Sequence, residues 1–238
     1  MRHEHNCVDD GQELTINWLE RGGLPQQHWG NPLMSASLLK PTGLNLMGWT
    51  NSGWGVCGFT SSFYAMYELN PGKQGLLLGA GIAHKVLAEI KTYLMMLKGA
   101  GELALLQDIQ RFTASFNGYK KFTIDKYIKD INSSVGRTEK QIIADSKYSI
   151  AMPPHAVFDY LARTWNQQAT WSYTSTAADG IVGVRDVLDE KMVAYHGLRH
   201  YLYRKNNKFY SWGKTFTDLD EVNTKERKNY SVCCVIAF

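Results

Sequence analysis

Long apolar runs, cysteine clusters and blocks of like charge are all missing from this 238-residue sequence. The longest apolar stretch, residues 76–82, is broken by glycines and followed by His84 and Lys85. It falls far short of the roughly 20 residues that span a bilayer, so no membrane insertion is expected. The N-terminal residues are polar and acidic and hold no apolar core of a signal peptide. The expected location is cytoplasmic, or outside the cell by a secretion system that exports or injects without reading a signal peptide. Four cysteines are too few for a disulfide scaffold, which favours a reducing compartment. Cys233 and Cys234 are adjacent and are expected to point to opposite faces of a strand. Lys plus Arg number 26 against 22 Asp plus Glu, a net charge of +4, and the charges are interspersed. No segment reads as a nucleic-acid-binding arm. Six prolines and 21 glycines are ordinary usage and exclude collagen-like or proline-rich chains.

The apolar content is 44%, with 7 Trp, 13 Tyr and 9 Phe, which excludes disorder. Residues 1–50 are rich in turn formers and tryptophans, and predict a short helix near 12–20 within an ordered, loop-rich extension. From Cys57 the pattern changes. Phe59, Phe63, Met66 and Tyr67 recur at helical spacing, and Asn70-Pro71-Gly72 ends the run. Residues 82–98 and 101–116 predict two more helices. Thr123 through Ile128 looks like a helix start, and Pro153-Pro154 opens another over 155–165. After about residue 168 the period shifts toward two, in GIVGVRDV, HYLYRK, KFYSW and YSVCCVIAF. Asn206-Asn207 marks a tight hairpin turn that pairs 205 with 208 and 203 with 210. Helices first and strands last predict an α+β fold: a helical N-terminal two-thirds on a C-terminal antiparallel sheet, in one domain spanning 1–238.

The stretch from Asn51 to Met66 carries the chemistry. Cys57 follows a glycine-rich turn and opens an amphipathic helix, where the helix dipole favours a thiolate. The unbonded N–H groups of the first turn can receive an oxyanion. Glycines flanking the thiol let a substrate backbone come close.

This stretch resembles the nucleophile segment of papain-like cysteine hydrolases, in which a Gln-x5-Cys pattern leads into the first core helix. Asn51 stands six residues before Cys57, a carboxamide one methylene shorter, and is the implied oxyanion donor. The second cysteine of the papain signature is absent, since Gly-Trp-Gly-Val precedes Cys57. That departure points to a distant branch, among which are bacterial toxin and effector proteases and deamidases. The resemblance implies a papain-like fold and a base His about 130–150 residues downstream on the sheet. His200 meets that separation and heads the strand HYLYRK. His196 has the same parity but precedes the break at Gly197. Hairpin register puts Ser211 on the His200 face as the third, ring-orienting residue. Ser211-Trp212-Gly213 resembles the segment that such enzymes place after their His. Asp218 and Asp220, just beyond, are the alternative carboxylates.

Other signals are weaker. His3-x-His5-x-Cys7 has no downstream ligand pair to complete a zinc site. His84 and His155 fall on helices. The basic, Tyr-rich hairpin with Arg199, Arg204, Lys205 and Lys208 reads as a solvated edge. The expected protein is therefore a metal-free, cofactor-free thiol hydrolase. It is a cysteine protease or a Gln/Asn deamidase acting on a protein substrate, and an injected toxin or effector fits it. The alternative is the same fold with a dead site, serving as a protein-binding module.

Overall fold

Gly55 fixes how the chain enters its first helix. Its N–H donates to Ser149 Oγ at 2.8 Å, and its carbonyl accepts the Ile150 N–H at 2.9 Å. In this computed structural model, residues 55–69, 81–187, 194–211 and 214–238 are described. They form seven α-helices and six strands, the helices mostly N-terminal. The expected extension over 1–50, its short helix, Asn51 and the His3/Cys7 group lie outside the described residues.

Helix α1 (Cys57–Leu69) buries Phe59, Phe63, Ala65, Met66 and Tyr67. Helix α2 (Ile82–Gly99) starts from a left-handed Gly81 and turns Ile82, Val86, Leu87, Ile90, Tyr93, Leu94 and Leu97 inward. Helix α3 (Leu103–Ser115) and α4 (Ile124–Asn132) follow, the latter capped by the Thr123 hydroxyl as its sequence suggests. The short α5 (Glu139–Ile143) begins with a reciprocal Thr138/Gln141 cap. Helix α6 (Pro154–Trp165) has Pro154 in its first turn, where a missing N–H costs nothing. Its Tyr160 ring lies edge-on to Phe59 at 4.8 Å and to Tyr93 at 5.1 Å, so aromatic packing locks α1, α2 and α6 together. The polar ends of these rings are satisfied: Tyr93 donates to Asp159 at 2.8 Å and Tyr160 to Glu89 at 3.0 Å.

The strands are β1 (Thr170–Tyr173), β2 (Gly180–Asp186), β3 (Leu198–Lys205), β4 (Lys208–Ser211), β5 (Lys214–Phe216) and β6 (Tyr230–Ala237). They form one antiparallel sheet in the order β1-β6-β2-β3-β4-β5. Helix α7 (Leu219–Glu226) lies between β5 and β6 in the chain. Alternation divides the sheet into two faces. Ile181, Tyr201, Tyr203 and Ile236 join the core shared with the helices. Val182, Val184, Leu202, Phe209, Phe216, Val232 and Val235 form a second core that holds Val222 of α7. The hairpin register is the expected one, with Asn206 and Asn207 both at positive φ, as a two-residue turn requires.

One expectation fails here. Cys233 and Cys234 both join the helix-side core instead of pointing apart. Opposite β2, Cys234 pairs with Gly183 and Val232 with Val184, so β6 carries one extra residue. This bulge breaks the alternation that the expectation assumed, and the two thiols hydrogen-bond to each other. No helix among the described residues is long and apolar enough to cross a membrane.

Candidate active site

Helix α1 meets the sheet at the backbone of Tyr201. Ser61 Oγ donates to the Tyr201 carbonyl at 2.9 Å, and the Tyr201 N–H faces the sulfur of Cys57 one turn earlier. The helix start and the strand are thus joined at both backbone groups of one residue, the neighbour of His200 in sequence. Of the flanking glycines, Gly55 is exposed and Gly58 is packed against the core. A Cβ on Gly58 would stand 3.2 Å from Met152 and 3.3 Å from Val157, so its smallness lets α1 settle onto the core.

Cys57 is half-buried as a residue, while its sulfur is crowded. Burial pushes the thiol up to about 11, against the lowering effect of the Tyr201 and Gly58 amides. This differs from the thiolate expected at a helix N-terminus: desolvation outweighs the lowering effect of the backbone N–H groups.

His200 is 5% exposed. Burial pulls its ring down to about 3, and the nearby Lys228 ammonium adds to the shift. The Cys57 thiol and the His200 imidazole are therefore each uncharged at neutral pH. The His200 ring stacks on Tyr230 with centroids 5.9 Å apart. Burial raises the Tyr230 phenol, and negative charge on Glu226 and on Cys57 raises it further.

Ser211 is where register puts it, on the His200 face of β4, with its Oγ 3.0 Å from His200 Nε2. The same Oγ donates to Glu226 Oε1 at 2.9 Å. Glu226, the last residue of α7, is the member that sequence reasoning missed. A signal for it existed. Asp218-x-x-Glu221 is a helix-start pattern, and Glu226 lies four residues after the apolar Val222, on the same helix face. Burial raises the Glu226 carboxyl, against its Ser211 bond and Lys214 and Lys228.

The alternatives have other places. Asp218 is the α7 N-cap, accepting from the Glu221 N–H at 2.8 Å. Asp220 is exposed in the first turn of that helix. His196 is exposed ahead of β3, in a left-handed conformation with φ of 57°, and its ring lies against Tyr173 at 3.8 Å. Asn51, Trp212 and Gly213 lie outside the described residues. His155, half-buried, meets Asp108 at 3.1 Å, an α6–α3 contact. Arg204 of the hairpin bonds Asp179 at 2.7 Å. Among the described residues, no group of three or more His, Cys, Asp or Glu side chains is placed to hold a metal. No family model matches the chain, and neither a curated protein nor a solved structure is similar to it.

Proposed function

We propose that this protein is a thiol-dependent amide hydrolase of papain-like fold, a cysteine protease or a Gln/Asn deamidase. Cys57 is the nucleophile, His200 the base, Ser211 the residue that orients the ring, and Asn51 a donor to the oxyanion. The observation that carries this reading is the meeting of α1 and β3. The Cys57 sulfur sits at the Tyr201 N–H, and the residue before Tyr201 is a buried His held through Nε2 by Ser211.

Because thiol and imidazole are both neutral, proton transfer accompanies attack. The sulfur bonds to the amide carbon while its proton passes to the imidazole. The carbonyl oxygen becomes an oxyanion facing N–H donors at the helix start. The imidazolium then protonates the leaving nitrogen, and the C–N bond breaks to leave a thioacyl enzyme. Water, deprotonated by the same ring, resolves that ester and restores the thiol. A peptide amide would release an amine, and a Gln or Asn side chain would release ammonia. A protein substrate, and delivery as a toxin or effector, belong to this proposal.

The second reading, a catalytically inactive papain-like module that binds protein, is favoured by the upward shift of Cys57 and the downward shift of His200. The rate of Cys57 alkylation by iodoacetamide as a function of pH separates the two. If the hydrolase reading holds, His200→Ala slows alkylation at neutral pH and His196→Ala does not. An inert thiol whose rate follows its own ionisation, indifferent to His200, establishes the module instead.

A further inference from the structure

Ser211 has one hydroxyl proton, and that proton goes to Glu226, because Oγ donates to Oε1 at 2.9 Å. The 3.0 Å contact between the same Oγ and His200 Nε2 must then take its proton from the ring, since a hydroxyl whose proton is committed can only accept. We propose that Glu226 is a positioning residue: acting through Ser211, its carboxylate holds His200 in the Nε2–H tautomer and makes Nδ1 the nitrogen that accepts a proton. The identity of the proton that Nδ1 takes rests on the hydrolase reading. The tautomer itself does not.

Every element around Glu226 contributes to this setting. Ser211 approaches from β4 and Lys214 from β5. Lys228 lies just past α7, and the Tyr230 phenol is on β6. His200 of β3 is reached through Ser211. The two lysines favour the carboxylate, and burial opposes it. When Glu226 takes up a proton the chain of bonds reverses. The carboxyl O–H donates to Ser211, the Ser211 hydroxyl donates to Nε2, and the ring proton moves to Nδ1. One proton is gained at the carboxyl and the imidazole stays neutral, but its lone pair now faces Ser211. A serine in this position therefore transmits the state of a carboxylate that never touches the ring.

The test is a long-range proton–nitrogen NMR experiment on the full chain with nitrogen-15-labelled histidine. The His200 resonances are assigned by their loss in His200→Gln. The expected result at mildly alkaline pH is the Nε2–H tautomer, converting to Nδ1–H as falling pH protonates Glu226. Glu226→Gln, which does not titrate, removes that step and slows Cys57 alkylation at mildly alkaline pH by up to about tenfold, the size of one neutral hydrogen bond. Ser211→Ala, a second variant, removes the step by cutting the chain in the middle. An Nδ1–H tautomer in the wild type at alkaline pH, or an unchanged step in either variant, overturns the proposal. A protein that shows the step yet hydrolyses no amide retains the positioning role and loses the hydrolase reading.

Discussion

Gly183 of β2 and Cys234 of β6 face each other so closely that a Cβ on the glycine would stand 2.3 Å from Cys234 Sγ, and 2.8 Å from Leu198 Cδ1. The bulge at Cys233 brings a sulfur to the point where β2 has no side chain. Gly183→Ala is therefore an overpacking mutation, expected to cost about 1–3 kcal/mol in urea unfolding. Cys234→Ala in the same chain removes the nearer clash and should recover part of that loss. Strict additivity of the two substitutions would show that the strands part to accommodate both.

His200 links stability to pH. Its ring is pulled from 6.5 to about 3 in the folded state, so the unfolded chain binds the extra proton between those values. The contribution is complete above the unfolded value and is lost as pH falls toward the folded one, by up to about 1.4 kcal/mol per pH unit. Denaturation of wild type and His200→Gln across the acidic range should give curves that converge as pH falls. Parallel curves would mean that the ring is solvated in the native protein.

Ser211 and Asp218 separate the two ideas of the third residue. Ser211→Ala leaves His200 Nε2 and the Glu226 carboxyl short of a buried partner, at an expected cost of about 1–3 kcal/mol, and it slows Cys57 alkylation. Asp218→Ala removes a helix cap, at about 1 kcal/mol, and leaves alkylation unchanged. Faster loss of Cys57 reactivity in the Asp218 variant would overturn the assignment.

Tyr201 offers a control on the core beside the site. Its hydroxyl donates to the Met152 carbonyl at 3.0 Å in a fully buried setting. Tyr201→Phe should lower stability by about 1–3 kcal/mol, by orphaning that carbonyl, without moving the Cys57 alkylation profile, because it is the backbone of Tyr201 that faces the sulfur. A shifted profile would give the phenol itself a part in the site.

Much of this was legible in the residues. The apolar spacing of Phe59, Phe63 and Met66, the Pro153-Pro154 start and the Asn206-Asn207 turn are local signals, and each marks the element it predicts. Ser211 follows from them because hairpin register is arithmetic once the turn is known. What register cannot reach is a return of the chain. Glu226 comes back to Ser211 only after the three-residue strand β5 and the whole of α7, neither of which has a strong pattern. The charge states were also hidden. A helix-start cysteine reads as a thiolate until the packing of α1 on β3 shows how little solvent its sulfur keeps. The paired cysteines misled because alternation holds only while the ladder is regular.

The sheet order has a consequence for how the protein is assembled. Among the described residues, strand β1, residues 170–173, pairs only with β6, residues 230–237, and β6 also separates it from β2. Of the described elements made earlier, α6 touches β1 through the rings of His155 and Trp171, 6.3 Å apart, but none of them offers it a strand partner. While the polypeptide emerges from the ribosome, β2, β3 and β4 can pair in sequence, but β1 gains its hydrogen-bonded strand partner only when β6 arrives. The ring of Tyr230 that stacks on His200 arrives with that strand. The helix start and the hairpin can thus form before β6 closes the sheet, a pairing of long sequence separation of the kind that slows folding.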